Sequence, residues 1–168
     1  MKKLTYTLLL SIYLISGSAF ANIYNNKEAI KSAALKKWEA TPEGIIFKKW
    51  EASPAGKKVI ESTFKIRKSI NEFSGMEAVV TSLSLPAGAR LGFGLMVNIK
   101  GDDYILAFGP DLNKEFGSLR DLKVNDKILI KSHSVSKAPK YKYPIIAGDY
   151  IEKNCKLIYK RAPNKGGC

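Results

Sequence analysis

The chain is short of the residues that most often carry chemistry. Among 168 residues there is one histidine, His133, and there are two cysteines, Cys155 and Cys168. That set cannot complete a zinc site. His133 lies between Ser132 and Ser134 in a strand-like stretch, where neighbours point to opposite faces, so the trio is not a ready nucleophile–base pair. The glycine-rich GARLGFG (88–94) lacks the strand-then-helix setting of a phosphate-binding loop. Asp102 and Asp103 read as a hairpin turn, because short acidic side chains favour turns. Asp111, Glu115, Arg120 and Asp121 contain the groups of a metal-dependent nuclease, but a polar link explains them more simply. No nucleophile motif or cofactor fingerprint is present. The expectation is a protein that is not an enzyme and uses no cofactor and no metal.

Long apolar runs are also scarce. The one such run, Leu8 to Ile15, follows Met1-Lys2-Lys3 and precedes Gly17-Ser18-Ala19-Phe20-Ala21. A positive start, a short apolar stretch and small residues at Ala19 and Ala21 make residues 1–21 a signal peptide in expectation. No cysteine follows the run, which argues against a lipid anchor. The compact Lys-Lys start looks bacterial, so the expected destination is the periplasm or the exterior. In an oxidising compartment Cys155 and Cys168 would be free to pair and tie down the tail 162–168, against the alternative of a free or intermolecular thiol.

Acidic residues are the third shortage. Lys and Arg number 28 against 15 Asp and Glu, a formal net charge of +13. Such a balance favours an anionic partner: nucleic acid, an acidic lipid surface or an acidic envelope polymer.

What is present falls into two grammars. Residues 22–74 carry Lys, Ala and Glu on a helical period, and 75–161 read as short strands. The first part holds a duplication, LKKWEATPEG (35–44) and FKKWEASPAG (47–56). Thr41-Pro42 and Ser53-Pro54 are helix start signals, so short helices should break there, with a longer helix over 55–73. Val59, Thr63, Ile66, Ile70 and Phe73 would share its buried face. Trp38 and Trp50 take matching places. They either pack, or place Lys36, Lys37, Lys48 and Lys49 with their indoles on a membrane interface or a protein partner.

The second part opens on the β-branched first strand GMEAVVTSLSLPAG (75–88), and RLGFGLMVNI (90–99) then alternates, with Leu91, Phe93, Leu95, Val97 and Ile99 on one face. YILAFG (104–109) returns as its hairpin partner, a polar link follows, and KVNDKILIKSHSV (123–135) supplies a fourth strand. YPIIAGDYI (143–151) and KLIYKR (156–161) supply a fifth, with room for a break.

YILAFGPDL, LKVNDKILI and PIIAGDYI together resemble small bacterial exported OB-fold domains, over residues 75–161. Asn125 stands where a turn glycine is usual and tolerates the same positive φ. The resemblance implies a small five-stranded OB-like β-barrel, and with the short N-terminal helices read from the repeat the chain is expected to be α+β. It also implies a binding face flanked by SKAPKYKYP (136–144) and by the connector Pro86 to Arg90. Lys137, Lys140, Lys142, Lys131 and Arg90 would meet phosphates, while Tyr141, Tyr143 and Tyr104 would stack on bases or sugars. Single-stranded nucleic acid is the most concrete ligand among acidic polymers. The bland alternative is a soluble loop with one tyrosine packed over the barrel end.

Overall fold

The structure is a computed structural model and describes residues 30–109 and 117–162. The expected signal peptide, Asp111, Glu115 and Cys168 lie outside the described residues. The chain divides into two compact units, Met1–Lys49 and Trp50–Cys168.

Helical residues 30–39 are followed by α1 (Pro42–Ala52) and α2 (Pro54–Arg67). The breaks fall at the duplicated step, and hydrogen bonds explain the motif. Thr41 Oγ1 donates to the Trp38 carbonyl at 2.7 Å and accepts from the Gly44 N–H at 3.1 Å. Ser53 Oγ does the same with Trp50, at 2.6 Å, and Gly56, at 3.1 Å. One hydroxyl thus closes the old helix and caps the new one, while proline occupies the first helical turn. The glycines serve close approach. A Cβ on Gly44 would lie 2.2 Å from the Trp38 carbonyl oxygen, and one on Gly56 would lie 2.0 Å from that of Trp50. The duplication therefore encodes the same helix–break–helix junction twice.

The third helix is shorter than its apolar period implies. It ends at Arg67, so Ile70 and Phe73 leave its face, and Phe73 is 87% exposed on a strand. Asn71 supplies the reason: its side-chain oxygen accepts from the Phe73 N–H at 2.9 Å and from that of Ser74, an alternative to helical pairing.

The strands are β1 (Asn71–Ser82), β2 (Phe93–Ile99), β3 (Asp102–Gly109), β4 (Lys127–Ser132), β5 (Val135–Ser136), β6 (Ile145–Ala147), β7 (Tyr150–Lys153) and β8 (Lys156–Lys160). A short helix, α3 (Gly117–Arg120), precedes β4. They form one mixed sheet of 8 strands in the order β5-β6-β3-β2-β1-β4-β7-β8, with β3 and β6 parallel. The sheet is not closed. The five-stranded OB-like barrel expected from the sequence is therefore corrected to an α+β fold with a large open sheet.

The break in the expected fifth strand decides this. β6 pairs with β3 and β7 pairs with β4, and only Gly148-Asp149 separates them. The Gly148 N–H donates to the Ala107 carbonyl of β3 at 2.8 Å, and the Asp149 N–H to the Lys131 carbonyl of β4 at 3.3 Å. Adjacent residues thus reach two strands that β2 and β1 separate in the ladder, so the sheet curls strongly. Gly148 is required at this corner, since a Cβ would lie 2.5 Å from the Phe108 ring. The chain then adds β8 as a hairpin instead of sealing the seam.

The core fills the inside of the curl. Leu95, Val97 and Ile99 point inward as the alternation implies, joined by Leu106, Phe108, Ile130, Ile146 and Ile151. Ile66 of α2 enters the same core. Asn125 adopts φ +73, as its place in the turn before β4 implies. No helix among the described residues is long and apolar enough to cross a membrane.

Candidate ligand-binding site

The two connectors singled out by sequence do meet. The Arg90 N–H donates to the Tyr141 hydroxyl at 3.2 Å, joining residues 51 apart. Tyr141 is held from its own loop as well, its N–H donating to the Ala138 carbonyl at 3.0 Å. Lys140 lies over the Tyr141 ring with Nζ 5.6 Å from the centroid, within cation–π reach. Lys142 and the Arg90 side chain are exposed, and Tyr143 is half-buried. Among the described residues, Arg90, Lys140 and Lys142 have no carboxylate partner.

Three of the expected contacts fall elsewhere. Lys137 is engaged by Glu51, with Nζ 3.0 Å from the carboxylate oxygen. Lys131 sits on the β4–β7 pair, 4.9 Å above the Tyr150 ring. Tyr104 is corrected from ligand contact to core. It is 2% exposed, and its hydroxyl donates to the Ser62 carbonyl of α2 at 3.0 Å. Its phenol pKa is pushed up to about 12, first by burial and second by the negative charge of Asp102. Helix α2 therefore closes this part of the sheet, and Lys65 adds an ion pair to Asp102 at 3.0 Å.

Beside the loop pair lies a trough that the sequence reading missed. Leu106, Phe108 and Ile146 face the core, so Ala107, Gly109, Ile145 and Ala147 face outward. Gly94 pairs with Ala107 and Ala107 with Ala147, and the Ala147 N–H donates to the Ser134 carbonyl at 3.1 Å. Glycine, alanine, alanine and serine thus form one row across the sheet; Gly94 is buried under Leu85, and the small side chains of Ala107, Ala147 and Ser134 leave a depression. Its volume is about 360 Å³, and Arg90 and Arg161 both line it.

Arg161 is fixed from behind. Its Nε lies 2.9 Å from Asp149 Oδ1, both atoms shielded from solvent, and Nη2 donates to the Gly148 carbonyl at 3.4 Å. The other Asp149 oxygen accepts the His133 backbone N–H at 2.7 Å and pairs with His133 Nδ1. The lone histidine therefore secures the corner carboxylate. Among the described residues it has no serine partner: Ser132 Oγ donates to the Ser134 carbonyl at 2.9 Å. The outward row Ala107, Ala147, Ser134 was readable only from strand parity, and Arg161 carried no motif at all.

In the first unit Lys36, Lys37, Lys48 and Lys49 are exposed, and Trp38 is partly exposed while packing edge-on against Phe47 at 5.5 Å between centroids. Trp50, in the second unit, is half-buried. Cys155 is exposed at the β7–β8 turn. No group of His, Cys, Asp and Glu among the described residues could hold a metal ion. In comparisons with known proteins, no family model, curated protein or solved structure matches the chain.

Proposed function

We propose that the chain is a non-enzymatic, exported binding protein for an acidic polymer, single-stranded nucleic acid being the most concrete ligand. The observation that carries this reading is the hydrogen bond from Arg90 to Tyr141, which makes one surface of two connectors. Arg90, Lys140 and Lys142 lie on those connectors without carboxylate partners among the described residues, so a phosphate can be met without breaking an ion pair. Tyr141 and Tyr143 bring aromatic surface for stacking, worth about 1–3 kcal/mol per base where it occurs. Lys137 differs, because a ligand would have to displace Glu51.

The test is fluorescence anisotropy with a labelled single-stranded oligonucleotide across a salt series. Replacing Arg90, Lys140 and Lys142 together by Ala is expected to lower the log–log salt slope by about 2, at roughly 0.7 per lost contact. Lys137→Ala is expected to leave the slope nearly unchanged. Absence of wild-type binding at low salt would end this reading.

A second reading has its own observation. Ile30, Leu35, Ile45 and Ile46 are all more than half exposed in the first unit, on helices that also carry Lys36, Lys37, Lys48 and Lys49. Apolar and basic side chains on one helical segment fit an acidic membrane surface or an envelope protein. Sedimentation with anionic vesicles tests it: binding should be lost on removal of residues 22–49, whereas nucleic-acid binding should not.

A further inference from the structure

The trough beside the loop pair differs from the loop surface in chemistry. A polymer-tracking surface needs spaced cations along an open path. The trough instead has small residues in its floor, two arginines in its lining and a volume of about 360 Å³, near the lower end for small-molecule sites and enough for a single nucleotide-sized unit. Its floor carries little side chain where Ala107, Ala147 and Ser134 line it, and Leu91 and Ile145 add apolar surface beside them. Leu85 blocks one end of the row, since a Cβ on Gly94 would lie 2.7 Å from its side chain.

The two arginines are complementary. Arg90 projects from the β1–β2 connector, its backbone fixed by Tyr141 while its guanidinium has no partner among the described residues. Arg161 is fixed at its Nε edge by Asp149, and among the described residues only the Gly148 carbonyl accepts a hydrogen bond from its other nitrogens. A guanidinium has five N–H donors, so most of that fork remains for a ligand. Asp149 cancels one formal charge, which makes donor geometry more important here than net charge. Ser134 and Ser136 also line the trough and can supply hydroxyls.

We propose that this trough is an end-binding subsite for a phosphate monoester, in which Arg90 and Arg161 hold the phosphate oxygens and the attached ring lies on the small-residue floor. A terminal monoester offers three oxygens to two forks, whereas an internal diester offers two and must continue past the blocked end. The inference rests partly on the nucleic-acid reading, since it seats the end of the same polymer.

The experiment compares 3′-labelled oligothymidylate bearing a 5′-phosphate with the same strand bearing a 5′-hydroxyl, and includes thymidine 5′-monophosphate as a separate ligand. The expected result is about tenfold tighter binding of the phosphorylated strand, the scale of one charge-assisted interaction. Arg90→Ala should reduce that ratio to near one. Ala107→Leu, which fills the floor and leaves both arginines in place, should do the same, and it guards against loss of the Asp149 corner in an Arg161 variant. Equal wild-type affinity for the two strands overturns the subsite and leaves the polymer reading standing. Saturable binding of the mononucleotide without binding of either strand overturns the polymer reading and leaves the subsite. Binding of none of the three overturns both.

Discussion

Tyr104 shows how one residue ties the two grammars of the chain together. Its ring lies in the core and its hydroxyl reaches the Ser62 carbonyl, so a strand residue holds a helix. Tyr104→Phe is expected to cost about 1 kcal/mol, the net worth of a typical hydrogen bond with its acceptor left behind. The pH dependence has a definite sign. The folded state raises the phenol pKa from 10.0 to about 12, so folding favours the protonated form. That stabilisation is complete below pH 10 and is lost as pH rises toward about 12. Urea titrations at pH 9 and at successively higher values should show the wild type losing stability faster than Tyr104→Phe. Parallel curves would mean that Tyr104 ionises equally in both states.

Among the elements, the duplicated junction makes the clearest commitment. Ser53 Oγ both accepts from Gly56 and donates to the Trp50 carbonyl, so Ser53→Ala removes two hydrogen bonds and should cost about 1 kcal/mol. Gly56→Ala should cost more, because its Cβ would meet the Trp50 carbonyl oxygen at 2.0 Å and backbone cannot yield as a side chain can. Chemical denaturation of both variants checks the order. A Gly56→Ala protein as stable as wild type would show that the junction opens without penalty. The motif was legible in sequence as a helix break. Its glycine, whose role is close approach to a carbonyl two turns of chain earlier, was not.

For the whole molecule, the division into units assigns α2 to the sheet. Residue 50 onward forms one compact unit, Val59 and Ile66 are buried, and Lys65 pairs with Asp102. A chain starting at Trp50 is expected to keep the cooperative unfolding transition of the sheet. A chain starting at Gly75 is expected to lose it, having given up Ile66 from the core and the acceptor of Tyr104. Circular dichroism melts of the two truncations decide this, and a cooperative melt from the shorter chain would contradict the assignment.

Local pattern was enough for much of this protein. The Ser/Thr-Pro steps placed the helix breaks, period-two alternation placed β2 and its core face, and Asn125 marked a positive-φ turn, because each depends on neighbours in sequence. The OB-fold resemblance implies that the loop 136–144 and the connector 86–90 flank one face; in the structure the Arg90 N–H donates to the Tyr141 hydroxyl. That the sheet stays open was decided by tertiary structure. The stretch 143–151 reads as part of one strand with room for a break, and the Gly148 corner against Phe108 divides it between two partners. Tyr104 shares the parity of Leu106 and Phe108, so alternation puts it on the core face, and the path of α2 adds the acceptor of its hydroxyl. The trough is the extreme case. Ala107, Ala147 and Ser134 are unremarkable in their own segments, and they line one trough with Arg90 and Arg161, 71 residues apart in the chain, only because pairing sets them side by side.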